Sequence, residues 1–254
     1  MLPQHNNTTD RRIPVEGTVN FRDVGGYPLV TGGTTRWGQL FRSDHLAQLT
    51  DAGRARMRDF GIRRIIDLRS DVEVAGVPSA LDGLDVQIVE HPIFSGSAQS
   101  AMPVDVTLTS LYITMIDEHT PALIATLKHI AEADDDAVLV HCMGGKDRTG
   151  LTVALALLAV GVDRATVVED YALTADNLAG AWVDAMIAKV REYGIDPDDV
   201  MEILAGSPAS AMEETLDYID ARYGSIAAYL DGNGFDTPWV ERLSRKLTAV
   251  AREE

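Results

Sequence analysis

The 254-residue chain contains a single cysteine, Cys142, and can therefore form no internal disulfide. It shows no dependence on an oxidising compartment. The longest apolar run, Leu151–Val162, is shorter than the ~18 apolar residues of a membrane span and predicts a buried helix. The first residues contain no apolar core that would indicate a secretory signal. We expect a protein without an integral membrane segment, either cytoplasmic or exported without such a signal.

Basic residues are scarce, since 22 Lys and Arg stand against 39 Asp and Glu and give a formal net charge of -17. This balance argues against nucleic acid as a partner, because phosphate backbones need a basic footprint. It still allows a small phosphorylated substrate, since one cationic pocket can dominate the local field. The six histidines show no spacing typical of a metal site, and no motif requires a cofactor.

Short β-branched runs predict strands at 63–68, 86–90 and 137–140, with helical patterns around 108–116 and 122–133 between the last two. This alternation predicts an α/β fold, and the half after Arg148 is rich in helix patterns. No repeat or linker divides the chain. We therefore expect one domain over 16–254, preceded by a polar arm at 1–15 that we expect to be disordered.

Several predicted helices begin with a capping side chain. Thr50 and Asp163 are simple candidates for the cap position. Other starts place proline directly after the capping residue, at the first helical position, where its missing N–H is not needed. These starts are Thr120-Pro121, Asp196-Pro197, Ser207-Pro208 and Thr237-Pro238.

The sequence VHCMGGKDRTG, 140–150, lies between the last predicted strand and an apolar helix. Gly144 and Gly145 permit backbone conformations in which successive N–H groups point inward and bind an anion. The following helix directs its N-terminus at the same point, and Arg148 can bind two oxygens of a tetrahedral dianion. We predict a phosphate-binding loop with substrate contacts from Met143, Gly144, Gly145, Lys146 and Thr149.

Within this loop Cys142 would lie beneath the anion, where the same field favours thiolate over thiol. A thiolate held against a phosphate ester is placed for in-line attack, so Cys142 is the predicted nucleophile. Thr149 is expected to donate its hydroxyl to the sulfur and His141 to orient the loop. The alternatives are a module that binds a phosphorylated ligand without turnover, and sulfur or arsenate chemistry.

The motif HC-x5-R-T resembles the signature of the cysteine-dependent protein tyrosine phosphatases. Its longer form, together with NFRDVGGY at 20–27 and IIDLRSDVE at 65–73, resembles bacterial tyrosine and dual-specificity phosphatases that also act on phosphoinositides. The resemblance implies a central, mostly parallel sheet with helices on both faces. It also implies phosphorylated protein or phosphoinositide as substrate, phosphotyrosine foremost, with phosphoserine and phosphothreonine as further candidates.

A leaving group needs a proton, yet the Trp-Pro-Asp motif that supplies it in many relatives is absent. Asp147 is the first candidate acid, because repulsion from a bound dianion favours its protonated form. Its alternative role is a dipole partner at the helix start. Asp67 is the competing acid, and pairing with Arg69 or Arg22 is its equally weighted alternative role.

Two further segments have alternative interpretations. Arg22 in NFRDVGGY either supports the phosphate loop or pairs with Asp23 in a turn. The segment 175–207 contains one apolar helix face, which by itself predicts core packing. By resemblance to the same bacterial phosphatases, we expect this segment to form a helical lid over the loop.

Overall fold

The computed structural model describes residues 11–94, 107–192 and 194–249. In these ranges the chain alternates strands and helices up to residue 141 and is mainly helical beyond it. The strands are β1 (Arg22–Asp23), β2 (Thr34–Thr35), β3 (Leu40–Ser43), β4 (Ile62–Asp67), β5 (Gln87–Glu90), β6 (Ala137–His141) and β7 (Thr248–Ala249). The helices are α1 (Asp51–Asp59), α2 (Asp71–Gly76), α3 (Leu108–Glu118), α4 (Thr120–Ala131), α5 (Asp147–Ala159), α6 (Arg164–Leu178), α7 (Ala181–Glu192), α8 (Pro197–Leu204), α9 (Ala209–Tyr223), α10 (Ile226–Gly232) and α11 (Thr237–Leu247).

The main sheet has the strand order β1-β3-β6-β4-β5, and β1 is its antiparallel edge. The pairs β3–β6, β6–β4 and β4–β5 are parallel. The three predicted strands are confirmed as β4, β5 and β6, with ends shifted by one residue. Strand β3 was not predicted from the sequence, because its four buried residues include a charged and a polar side chain.

Helix caps confirm part of the predicted pattern. Thr50 caps α1 by accepting from the Gly53 N–H, and Asp163 caps α6 by accepting from the Thr166 N–H. The predictions for Thr120 and Ser207 were wrong. Thr120 lies inside α4 and donates its hydroxyl to the Ile116 carbonyl, and Ser207 donates to the Tyr171 carbonyl.

Proline still marks these helix starts. Pro197 begins α8, and Pro208 directly precedes α9. The cap predicted at Thr237 was also wrong, because Thr237 is the first residue of α11 and its cap position is held by Asp236 without a side-chain bond. The fixed backbone angle of proline therefore predicted these starts better than the side chain before it did.

Apolar residues pack on both faces of the sheet, which confirms the predicted α/β layers. The larger cluster contains α3, α4, α5, α9 and α11, and the smaller one contains α1 and the segment before β1. Ile13 and Val15 are buried in the smaller cluster. Residues 11–15 of the predicted arm are therefore part of the packed domain, and 1–10 lie outside the described residues.

The parallel strands end at one edge of the sheet. In the register of β6 with its neighbours, His141 lies opposite both Ser43 and Asp67. Ligand sites of α/β sheets lie at such carboxyl ends, and here the loop 142–146 leads from β6 into α5. Within the described ranges, no helix combines the length and apolar character that crossing a membrane requires.

Candidate active site

The loop between β6 and α5 is held from outside through its carbonyl groups. The Met143 carbonyl accepts from the His45 N–H at 2.9 Å. The Gly144 carbonyl accepts from Asn20 Nδ2 at 2.9 Å, and the Gly145 carbonyl from Arg42 Nη2 at 2.8 Å. Carbonyls that point away from the loop leave the N–H groups facing its interior.

Gly145 shows why the loop needs glycine. Its φ is +64°, and an added Cβ would lie 2.2 Å from the carbonyl oxygen of Ser43 at the end of β3. A side chain there would meet both the strained conformation and the neighbouring backbone. The glycine thus lets the loop pack directly against β3.

The N–H groups of residues 143–146 donate to no described residue. They precede the first turn of α5, whose own N–H groups also lack helical acceptors. Together they form an arc of donors, without acceptors among the described residues, at the positive end of the α5 dipole. Such an arc binds the oxygens of a phosphate group.

Cys142 lies at the base of this arc and is 2% exposed. It is the free cysteine of the chain and forms part of the main core. The predicted hydrogen bond from Thr149 to its sulfur is not formed, because the buried Thr149 Oγ1 has no hydrogen-bond partner among the described residues. This hydroxyl is therefore available to a group that enters the loop.

Arg148 is oriented by a bidentate ion pair with Glu73. Its Nη1 and Nη2 donate to the two carboxylate oxygens at 2.6 and 2.8 Å, and Nη1 also reaches the Leu68 carbonyl at 3.3 Å. A guanidinium has five N–H donors, so the Nε–H and one Nη2–H remain without a described acceptor. This edge is the fork that a phosphate can occupy.

Electrostatics keep both members of this pair charged. Burial alone would lower the pKa of Arg148, but the Glu73 bonds and the nearby Cys142 outweigh it and raise the pKa. Burial alone would raise the pKa of Glu73, and Arg148 instead holds it below its ordinary value. Glu73 also accepts from the Ser70 N–H in the capping box of α2, which fixes its position.

Asp67 pairs with Arg69, one of the two partners considered from the sequence. Arg69 Nη2 lies 2.7 Å and Nε 2.9 Å from the two carboxylate oxygens of Asp67, which is 4% exposed. Burial would raise the pKa of Asp67, but the Arg69 bonds and the neighbouring His141 hold it below the ordinary value. An ionised, fully paired carboxylate has no proton to donate.

His141 connects Asp67 to the loop. Its Nε2 lies 3.5 Å from Asp67 Oδ2 and its Nδ1 3.4 Å from the Cys142 carbonyl oxygen. Burial lowers the pKa of His141 to about 4, so the ring is neutral at physiological pH. The ring therefore lies between Asp67 and the start of the loop.

Arg22 supports the loop indirectly through a buried ion network. It donates to Asp170 Oδ1 at 3.0 Å and to the side chain of Asn20, which holds the loop carbonyls. Arg42 donates to Asp170 Oδ2 at 2.6 Å. The predicted alternative of an Arg22–Asp23 pair is wrong, because Asp23 instead accepts from the Gly25 and Gly38 N–H groups.

Asp147 lies at the first position of α5, with its side chain 27% exposed. Its Oδ1 accepts from the Tyr112 hydroxyl at 2.8 Å and lies 3.4 Å from Lys146 Nζ. Oδ2 accepts no hydrogen bond from the described residues. The carboxyl group is thus held on one oxygen beside the loop.

Lys146 contacts α8 and Asp147. Its ammonium donates to the carbonyls of Ile203 at 2.6 Å and Glu202 at 3.4 Å, near the C-terminus of α8. Burial lowers the pKa of Lys146, while Asp147 and Cys142 act in the opposite direction. A phosphate contact by the Lys146 ammonium would therefore require its release from these carbonyls, whereas a contact by its backbone N–H would not.

A sequence profile described as the tyrosine phosphatase family matches residues 13–249. The chain belongs to the tyrosine phosphatase family. It is 31% identical to "Triple specificity protein phosphatase PtpB" of Mycobacterium tuberculosis, over 92% of this chain and 97% of that protein. It is also 34% identical to the "Tyrosine-protein phosphatase" of Nostoc commune, over 81% of this chain and 73% of that one.

These matches confirm the family resemblance of the motifs, and the chain is a protein tyrosine phosphatase. Sequence reasoning had missed several side chains of the phosphatase site, namely Asn20, Arg42, Glu73, Tyr112, Asp170 and Tyr171. Two of them carry a signal in the sequence. Ser70 and Glu73 have the spacing of a capping box, and Asp170 shares the buried face of α6 with Val167 and Thr174.

The described residues of the phosphatase contain no group of three His, Cys, Asp or Glu side chains that could hold a metal ion. Within the loop sequence itself, Lys146 and Arg148 supply positive charge, and both are buried. The arrangement is suited to binding a tetrahedral anion through protein donors.

Proposed function

We propose that this phosphatase hydrolyses phosphomonoesters, above all phosphotyrosine in proteins, through a phosphocysteine on Cys142. The observation that supports this proposal best is the arc of N–H groups beside the cysteine that donate to none of the described residues. The arc would bind the phosphoryl oxygens, and the free Nε/Nη2 edge of Arg148 would bind two of them. Cys142 then faces phosphorus on the side opposite the leaving oxygen.

The reaction has two steps. The Cys142 thiolate forms a bond to phosphorus while the P–O bond to the leaving group breaks, and Asp147 gives its proton to the departing oxygen. Water then attacks the phosphocysteine and passes a proton to Asp147. The S–P bond breaks, inorganic phosphate leaves, and the thiolate is restored.

Three observations support Asp147 as the acid rather than Asp67. Asp147 is partly exposed beside the loop, and its Oδ2 accepts no bond from the described residues. Asp67 is almost fully buried and is held ionised by Arg69. Repulsion from a bound phosphate dianion would favour a proton on the carboxylate nearest to it.

Separate Asp147→Asn and Asp67→Asn variants test this assignment with phenyl phosphate and p-nitrophenyl phosphate. Loss of a general acid costs about 10²–10⁴-fold on the poor leaving group and far less on the good one. We expect that pattern for Asp147→Asn. Asp67→Asn should lower both rates alike, because it disturbs the loop. The reverse pattern would assign the acid to Asp67.

The nucleophile and the rival binding function are tested with Cys142→Ser. We expect this variant to lose turnover of p-nitrophenyl phosphate and to keep binding of a phosphotyrosine peptide, measured by calorimetry. Normal turnover by the variant would remove Cys142 as nucleophile. A wild-type chain that binds the peptide but releases no p-nitrophenol would be a binding module.

The wider substrate range is proposed from the similarity to the mycobacterial relative, which is named a triple specificity phosphatase. We propose phosphotyrosine as the main substrate, with phosphoserine, phosphothreonine and phosphoinositides as further ones. Rates on phosphotyrosine peptide, phosphoserine peptide and phosphoinositide vesicles, measured side by side, test this order. A higher kcat/KM on the vesicles than on the phosphotyrosine peptide would overturn it.

We also propose that the segment 175–207 acts as a lid. Leu178 and Trp182 approach the loop, since a Cβ added at Gly144 would lie 3.7 and 3.5 Å from their side chains. Lys146 bonds the end of α8 to the same loop. Most of α7 is exposed or half-buried, so few core contacts hold this helix in place.

Trimming 179–205 or replacing Trp182 with alanine tests the lid. Both changes should raise the rate on bulky phosphopeptides relative to p-nitrophenyl phosphate, and should speed oxidation of Cys142 by peroxide. Trp239→Ala is the matched control, because that half-buried tryptophan packs on Phe235 and Lys128, at a distance from the loop. Equal rates and equal oxidation in wild type and lid variants would refute the lid.

A further inference from the structure

Two buried tyrosines form a hydrogen-bonded chain that ends on Asp147. Tyr112 of α3 and Tyr171 of α6 are both 0% exposed, and their hydroxyl oxygens lie 2.6 Å apart. Their rings meet edge to face at a centroid distance of 5.9 Å. The Tyr112 hydroxyl lies 2.8 Å from Asp147 Oδ1. Three separate helices thus converge on one carboxyl group.

The number of available protons determines which group donates each hydrogen bond between Tyr171, Tyr112 and Asp147. A phenol has one proton to donate. Since Tyr112 donates it to Asp147, the bond between the two hydroxyls must be donated by Tyr171. Burial and the charge of Asp147 raise the pKa of both tyrosines above the ordinary value of 10, so both remain donors in any assay near neutral pH.

The same contacts make the two oxygens of Asp147 unequal. Oδ1 faces the Tyr112 hydroxyl and the Lys146 ammonium, and a proton on this oxygen would displace a donor. Oδ2 has no described donor. A proton on Asp147 is therefore favoured on Oδ2, and rotation of the carboxyl group would break the bond to Tyr112.

We propose that Tyr112, backed by Tyr171, is a positioning residue for Asp147: it anchors Oδ1 and thereby leaves Oδ2 to carry the proton to the leaving oxygen. This inference rests on the proposed role of Asp147 as general acid. Tyr112 does not itself exchange a proton with the substrate. It acts by fixing the rotamer of Asp147 and by selecting the oxygen that is protonated.

Among the neighbours of Asp147, Tyr112 is the group that can hold its carboxyl group in one orientation. The charged and titratable groups that interact with Asp147 include Lys146, Arg148, Tyr112 and Tyr171. Arg148 is paired with Glu73, and Lys146 Nζ lies 2.6 Å from the Ile203 carbonyl but 3.4 Å from Asp147 Oδ1. The hydrogen bond from Tyr112 is the strongest directional contact of this carboxyl group among the described residues.

Tyr112→Phe removes the hydroxyl and keeps the buried ring. Loss of a hydrogen bond to a charged group changes an equilibrium by about tenfold. We expect kcat on phenyl phosphate to fall about tenfold and kcat on p-nitrophenyl phosphate less than about twofold. Tyr171→Phe should lower kcat on phenyl phosphate by about threefold, because it removes the hydrogen bond that Tyr171 donates to the Tyr112 hydroxyl.

Tyr229→Phe is the matched control. Tyr229 is also 0% exposed, and its hydroxyl lies 3.1 Å from Thr120 Oγ1 on α4, away from Asp147. It should change stability about as much as Tyr112→Phe does and leave the ratio of the two rates unchanged. Thermal unfolding of each variant measures the structural part of the effect.

A double-mutant cycle with Asp147→Asn tests the positioning role of Tyr112 separately from the role of Asp147 as general acid. If Tyr112 acts through Asp147, Tyr112→Phe has no leaving-group-selective effect left in the Asn background. Equal losses on both substrates, or a selective loss that persists in that background, would overturn the role of Tyr112 and leave Asp147 as the acid. If Asp147→Asn itself lacks selectivity, the proposed acid fails and this inference fails with it. Should Tyr112→Phe not fold, Tyr171→Phe undergoes the same cycle and the same outcomes apply.

Discussion

Replacing Asp170 with asparagine tests the buried network behind the phosphate loop. Asp170 is 1% exposed and bonds two arginines, Arg22 and Arg42, that are both 0% exposed. The neutral amide would leave two guanidinium charges in the core without a counterion. Removing one partner of a buried ion pair costs about 3–5 kcal/mol, which is a large part of the ~5–15 kcal/mol that stabilises a typical domain.

We therefore expect Asp170→Asn to lower the free energy of unfolding by at least about 3 kcal/mol, or the melting temperature by roughly 10 °C. Urea unfolding followed by fluorescence of the three tryptophans measures it. Asp217→Asn is the matched control, because Asp217 pairs with Arg164 at 2.6 Å on the surface, with its side chain 72% exposed. A surface pair of this kind contributes at most about 1 kcal/mol.

The pH dependence gives this prediction a second check. Burial alone would raise the pKa of Asp170, but the two arginines outweigh it and hold the pKa well below the ordinary value. A depressed pKa contributes stability above the unfolded pKa of about 3.9, and this stability is lost as the pH falls below it. The difference between wild type and Asp170→Asn should thus be constant near neutrality and shrink in acid. A loss no larger than that of Asp217→Asn would refute the reasoning.

Three further variants test the loop and its neighbours. Glu73→Gln should lower kcat/KM on p-nitrophenyl phosphate by about 10- to 100-fold, because Arg148 loses its bidentate partner and its orientation; unchanged kinetics would contradict the pair. Gly145→Ala should abolish activity, since its Cβ would meet the Ser43 backbone; a soluble variant with normal rates would disprove the close packing. Burial raises the pKa of Asp44 to about 6, so its contribution to stability falls as the pH rises from ~4 to 6. In urea unfolding measured across this pH range, Asp44→Asn should make the free energy of unfolding less dependent on pH.

The sequence alone predicted the phosphate-binding loop. The order of strand, Cys142, two glycines, Arg148 and helix depends on neighbours within a few residues, so it can be recognised without the tertiary structure. The three predicted strands and the caps at Thr50 and Asp163 were confirmed for the same reason. The caps predicted at Thr120 and Ser207 were wrong: the Thr120 hydroxyl bonds the Ile116 carbonyl in the preceding helix α3, and the Ser207 hydroxyl bonds the distant Tyr171 carbonyl of α6.

Only the tertiary structure decided which side chains hold that loop in place. Glu73 lies 75 residues from Arg148, and Asp170 lies 148 residues from Arg22. No periodicity encodes such pairs, because they arise when the parallel strands bring their carboxyl ends to one edge of the sheet. The choice of Arg69 as the partner of Asp67 was likewise open in the sequence, which allowed Arg22 equally. It was settled because Asp170 already binds Arg22, and because a buried charge requires a counterion at hydrogen-bond distance.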